Sequence, residues 1–221
     1  MRNNAFSTEK IGLILTTTLL LSACGGRSAD PNFYTLAPQI APVINSNVKL
    51  IQVMPVNVPA RLNTQLMVLQ KSDGQSYALD NQRWASNLSD ELQSALSAGL
   101  QQKLGAIDVY NTGLTGRKVS YLIATEFAKF DIVQNIQTSQ TEIEVMAAWV
   151  IKRKDPIDKP KLSQLNCRMS FTYPVTEQKQ NFLKIAESYQ AALEKVTTAI
   201  ATSTLALDAQ KMPLIATANC S

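Results

Sequence analysis

The sequence predicts an α+β fold: a mostly antiparallel sheet with two main helices packed on it, in a single domain. Three observations carry this. Residues 119–133, 142–152 and 165–173 are three consecutive apolar or alternating stretches separated by turn residues, the pattern of an antiparallel meander. Residues 88–104 and 182–200 repeat apolar side chains every three or four positions, the pattern of helices with one buried face. The chain has 221 residues, 45% of them hydrophobic and 17% charged, which is too apolar for a disordered protein. Two domains would have about 100 residues each, so one is favoured.

The first element is not part of the domain. Residues 1–10 are polar, with Arg2 and Lys10 basic and Glu9 acidic, and an apolar run follows at 11–21. As a helix the run spans roughly 16 Å, half a bilayer core, so it reads as a secretory signal and not as a membrane span. It ends in Leu21-Ser22-Ala23-Cys24, then Gly25-Gly26. That tetrapeptide resembles the bacterial lipobox, which implies removal of 1–23 and acylation of Cys24. The bland alternative is an ordinary secretory signal with an incidental cysteine. Each buried CH₂ of an acyl chain contributes about 0.8 kcal/mol, and two chains already anchor stably. Gly25 follows the cysteine and no Asp stands there. By the usual Gram-negative sorting pattern this implies an outer-membrane anchor facing the periplasm.

Residues 24–47 read as a tether, rich in Gly, Pro, Ser and Asn, in which Phe33-Tyr34-Thr35-Leu36 is a strand-like patch able to dock on the domain. The domain is expected over 48–210. Residues 48–59 read as a strand that Pro55 and Pro59 confine to an edge or bend. Residues 66–70 and 76–79 read as a hairpin across the turn Ser72-Asp73-Gly74-Gln75. The first helix has Asn87 as its N-cap, Asp90 and Glu91 in its first turn, and Leu88, Leu92, Leu96, Leu100 and Leu104 with Ala95 as its buried stripe. Gly105 suits the residue after its end, and Gly99 inside it marks a close approach or a weak spot.

Residues 107–110 read as a short strand. In 119–133 both parities carry apolar residues, which predicts a central strand covered on both faces. Ile143, Val145, Ala147, Trp149 and Ile151 share one face, as do Leu165, Cys167, Met169, Phe171 and Tyr173. The second helix is expected from Asn181 to about Leu207, weakest in its Thr-, Ala- and Ser-rich part at 197–204. Residues 211–221 are expected as a C-terminal tail.

Composition excludes much chemistry. The chain has no His and three Cys, which removes His-based acid/base catalysis, Ser-His and Cys-His pairs, and ordinary zinc sites. No phosphate-binding glycine loop is present. Glu142 and Glu144 share a strand face, and a solvent-facing edge explains them better than acid/base work. Trp84 and Trp149 read as core. Removing Arg2, Lys10 and Glu9 from 21 basic and 17 acidic side chains leaves a formal +3 on a mature chain of 198 residues, too mild for nucleic acid. Lys152-Arg153-Lys154 beside Asp155 and Asp158 reads as a solvated hairpin tip, or as a contact for lipid headgroups or an acidic partner. Cys167 and Cys220 remain after Cys24; in an oxidising periplasm they read as a disulfide, the alternative being a buried thiol and a free one. No catalytic residue, cofactor or metal is assigned.

The order lipobox, Phe33-Tyr34-Thr35-Leu36, Val56-Asn57-Val58-Pro59, Arg61-Leu62 to Leu66-Met67-Val68, Arg83-Trp84-Ala85 and the Leu-rich helix resembles the ABC-type transport auxiliary lipoprotein family, the PqiC-like lipoproteins. Phe127 to Phe130, Ile143 to Trp149 and Tyr189 fit it further. The resemblance implies the same α+β fold and a non-enzymatic, lipid-anchored accessory subunit at the outer membrane. It implies partners as well: an MCE-domain protein that moves lipid between membranes, with its inner-membrane partner, and a ring-like homo-oligomer. The Cys167/Cys220 pair and the tail after the last helix depart from the family pattern. A stand-alone lipid-binding lipoprotein is the competing reading.

Overall fold

A computed structural model of the chain describes residues 30–38, 46–114, 116, 118–157, 160–175 and 182–221. Pro31–Ser221 is one compact unit, distinct from Met1–Asp30. Cys24, most of the expected tether, Asp158 and Asn181 lie outside the described residues.

The described strands are β1 (Asn32–Tyr34), β2 (Leu50–Val53), β3 (Leu66–Lys71), β4 (Ser76–Trp84), β5 (Ile107–Asp108), β6 (Ser120–Gln134), β7 (Thr141–Lys154), β8 (Gln164–Pro174) and β9 (Ala218–Cys220). The helices are α1 (Leu88–Leu104) and α2 (Phe182–Asp208). All strands join one sheet in the order β1-β4-β3-β6-β7-β8-β9, and β2 pairs β6 and β5 off that path. The expected meander is β6-β7-β8, antiparallel throughout. Around it the sheet is mixed, since β1 lies parallel to β4, and β2 and β3 lie parallel to β6.

β6 is the organising strand. Along one side it pairs with β7 over its whole length; along the other it takes β2 first, at Tyr121–Ile123, and then β3, at Ile132–Gln134. Its two apolar parities have a different cause from the one expected. A bulge between Phe127 and Lys129 inserts Ala128 without a partner. Tyr121, Ile123, Thr125 and Phe127 are buried before the bulge, and Phe130 and Ile132 after it. The extra residue shifts the period-two pattern by one, so one face stays inward along the entire strand. On the other face Glu126, Ala128 and Lys129 are exposed, Leu122, Ala124 and Val133 are half-buried, and Asp131 is buried.

Trp84 closes β4, and Asn87 caps α1 with its backbone only: its carbonyl accepts the N–H groups of Asp90 and Glu91, at 2.9 and 3.0 Å, and its side chain makes no cap. The Glu91 carboxylate supplies the missing polar link. It accepts from the Ser86 N–H at 3.0 Å, the Ser86 hydroxyl at 2.7 Å and the Leu36 N–H at 3.1 Å, which ties the strand-like patch at 33–36 to the start of the helix. Gly105 ends α1 with φ +61°, the left-handed conformation that favours glycine. Gly99 lies on the buried side.

α2 packs on β7, β8 and α1. Its Thr- and Ser-rich part stays helical because the hydroxyls of Thr197, Ser203 and Thr204 each donate to the carbonyl four residues back, at 2.8 Å, and so are satisfied while buried. Its Tyr189 joins Trp84, Phe130 and Phe127 of the sheet in an aromatic group, with neighbouring ring centroids about 5 Å apart. The residues expected as a tail contain β9, which pairs with β8 through Cys167, Arg168 and Met169.

Candidate functional site

Cys167 points to the helix-covered face of β8, where it stands opposite Trp149 of β7 and Cys220 of β9. Asn166 and Ser221 exchange both of their backbone hydrogen bonds, at 2.8 and 2.9 Å. The next pair along, Cys167–Cys220, is therefore a non-hydrogen-bonded pair, in which antiparallel Cα atoms come closest. Their Cα atoms are 4.1 Å apart and a disulfide joins them. The Trp149 indole N–H donates to the Ser203 hydroxyl at 3.3 Å, and that oxygen lies 3.6 Å from the Cys167 sulfur and 3.9 Å from the Cys220 sulfur. Sheet, helix and C-terminal strand meet at this point. A bonded sulfur offers no thiolate, so the site is a clasp and not a nucleophile.

A second constellation fastens the end of α2. Tyr121 of β6 and Arg153 of β7 are cross-strand neighbours. The Tyr121 hydroxyl donates to the Asp208 carboxylate at 2.6 Å; Arg153 donates to the Asp208 carbonyl at 3.4 Å and pairs with Asp155 at 2.9 Å. Burial, and then the Asp208 carboxylate beside it, hold the Tyr121 phenol well above its usual range. Burial works against the Arg153 charge, but its bond to Asp155 and the charges of Tyr121, Asp155 and Asp208 together outweigh this and raise the pKa of the guanidinium. The middle of the basic triplet is thus a structural anchor at the end of β7. Lys152 and Lys154 on either side of it are exposed, as expected of the triplet as a whole.

The paired glutamates lie on the open face of the sheet. Glu142 and Glu144 border a groove with Arg61, Lys71 and Lys129. Lys129 donates to Glu144 at 2.6 Å, and that bond and charge raise the lysine's pKa. Arg61 reaches both oxygens of the buried Asp131 at 3.0 Å. Glu144 and Asp131 are matched by cations, an arrangement for holding strands and not for moving protons.

Among the described residues no group of three or more His, Cys, Asp or Glu could hold a metal ion, and no helix is long and apolar enough to cross a membrane. Trp84 and Trp149 are both core, at 2% exposure. Sequence reading brought Cys167 and Cys220 together but missed Ser203 between them, and it missed the Tyr121–Asp208 and Arg61–Asp131 pairs. Those partners lie 87 and 70 residues apart, beyond any local spacing signal.

A family model described as the ABC-type transport auxiliary lipoprotein component matches residues 34–201. Two crystal structures share the fold. One, of an uncharacterized protein, is 19% identical, with a TM-score of 0.55, and covers 79% of this chain and 99% of its own. The other, of a Xanthomonas campestris protein of the DUF330 family, is 14% identical, with a TM-score of 0.58, and covers 81% and 98%. No functionally curated protein matches the sequence.

Proposed function

The chain belongs to the ABC-type transport auxiliary lipoprotein family, and from that premise we infer a non-catalytic docking subunit, anchored by acyl chains on Cys24 to the periplasmic side of the outer membrane. Its partners on this reading are an MCE-domain protein and the inner-membrane component of the same lipid-transport system. The observation that carries it is the family match over residues 34–201, which spans α1, the central meander and most of α2. Two features support it. The lipobox stands where an anchored domain needs it, ahead of the compact unit. The ionisable side chains of Tyr121, Arg153 and Asp208, and of Arg61, Asp131, Lys129 and Glu144, are committed to holding elements together.

The test is co-purification. The acylated protein is extracted from detergent-solubilised envelopes beside a Cys24→Ala control, and its companions are identified by mass spectrometry. Recovery of an MCE-domain protein with the wild-type chain, and its loss with the control, is the expected result. Phospholipid alone, with no protein companion in any gentle detergent, would overturn the docking role in favour of a stand-alone lipid carrier. A Cys24→Ala chain that remains in the membrane fraction as an acylated product would remove the anchor.

A further inference from the structure

One end of the sheet carries exposed basic and aliphatic side chains. Ser120 at the start of β6 pairs with Lys154 at the end of β7, so the loop before β6 and the loop after β7 leave from the same end of the sheet. Each carries a large aliphatic side chain into water: Leu114 is 79% exposed and Ile157 is 80% exposed. Neither belongs to the core. Around them Lys118, Lys152, Lys154 and Lys161 are exposed. Among the described residues no carboxylate pairs with any of the four, and Lys154 donates to the Gln52 side-chain oxygen at 3.5 Å. The described acids nearby are engaged elsewhere. Asp155 holds Arg153, Asp208 holds Tyr121, and Asp108 accepts from Ser97 and from the backbone of Val53 and Tyr110.

We propose that this end of the sheet is a second membrane contact, which binds an anionic bilayer surface independently of the acyl anchor. The chemistry selects the occupant. Two exposed aliphatic side chains at one end of the sheet can enter the acyl boundary of a bilayer. Protein–protein anchors favour Trp, Tyr and Arg, whereas the exposed large side chains described at this end are Leu, Ile and Lys. Unpaired lysines on long stems keep their ammonium groups among phosphates while the stems lie against apolar surface. Each lysine near an anionic surface strengthens binding about five-fold.

The test needs no acyl chain. A chain begun at Gly25 keeps all of Pro31–Ser221, and with it every described core residue. This chain, with Ile157→Trp as a reporter, is mixed with vesicles of phosphatidylcholine with and without phosphatidylglycerol. Trp84 and Trp149 are buried, so a change in emission reports the new indole. Binding with a blue shift on the phosphatidylglycerol vesicles, weakened by salt, is expected. Lys118→Gln, Lys152→Gln and Lys154→Gln together should weaken it about a hundred-fold, and Leu114→Ser should weaken it about ten-fold. The substituted positions are exposed, and unchanged urea unfolding confirms that the variants fold. No binding to either vesicle, or binding that the lysine substitutions leave unchanged, overturns the proposal. So does capture of this end by an acidic protein with no response to vesicles. Because Cys24 is absent, none of these outcomes bears on the anchor.

Discussion

Tyr121 shows what one hydroxyl can do at the edge of a core. Its ring is buried beneath the end of α2 and its oxygen reaches Asp208, so its charge-assisted bond holds the helix terminus together with Arg153. Tyr121→Phe removes that bond, and a loss of about 2 kcal/mol in urea unfolding is expected. The pH dependence has a defined sign. In the unfolded chain the phenol loses its proton near pH 10.0, while the folded protein holds it to higher pH, and the wholly buried Tyr189 behaves alike. The native state therefore binds more protons above that value. Stability is full below pH 10 and falls as the pH rises through the folded values. Urea midpoints measured from neutral pH to about pH 11 should show the fall, and Tyr121→Phe should flatten part of it. The partners of these residues were not legible in the sequence, because a side chain 87 positions away leaves no periodicity to read. Trp84, Trp149 and the apolar faces of β7 and β8 were legible, since period two translates directly into inside and outside.

At the scale of elements, the bulge in β6 explains a misreading and offers a test. Apolar residues on both parities suggested two covered faces, yet the pattern is one face with a single extra residue. Deleting Ala128 removes the residue that has no partner and leaves Phe127↔Ala147, Lys129↔Met146 and Phe130↔Val145 in register. Cooperative unfolding of the Ala128 deletion is expected. Deleting Ala124 instead turns Glu126 inward and Phe127 outward, a loss of about 3–5 kcal/mol or failure to fold. The C-terminal strand gives a second case. Three residues make a weak strand, and the disulfide between positions 53 apart fastens it. Reduction, or the pair Cys167→Ser and Cys220→Ser, should cost about 4 kcal/mol on the chain-entropy account, read as a lower urea midpoint. The bridge was legible from the residues and the expected compartment. The strand was not, because three residues carry no pattern.

Over the whole molecule, the long strands share one hairpin-linked block and the short ones sit at its margins. β6, β7, β8 and α2 should show the slowest amide hydrogen exchange, and β1 and β5, with three and two residues, the fastest. The α+β class, both helices and the meander followed from periodicity. The parallel pairings of β1, β2 and β3 did not, since nothing local tells a strand which distant neighbour it will meet.

That arrangement sets an order of assembly. β6 and β7 are joined by a short turn and can find each other quickly. Ile51 must wait for Tyr121, and Leu69 for Ile132, before either can pair on the other side of β6. As the chain emerges from its N-terminus, β2 and the β3-β4 hairpin are made before β6 and can be placed only after it. Through that interval Leu50-Ile51 and Leu66-Met67-Val68-Leu69 are apolar strands without a seat on the sheet. A nascent molecule halted before β6 is thus a chaperone client, and its aggregation should cease once β6 is complete.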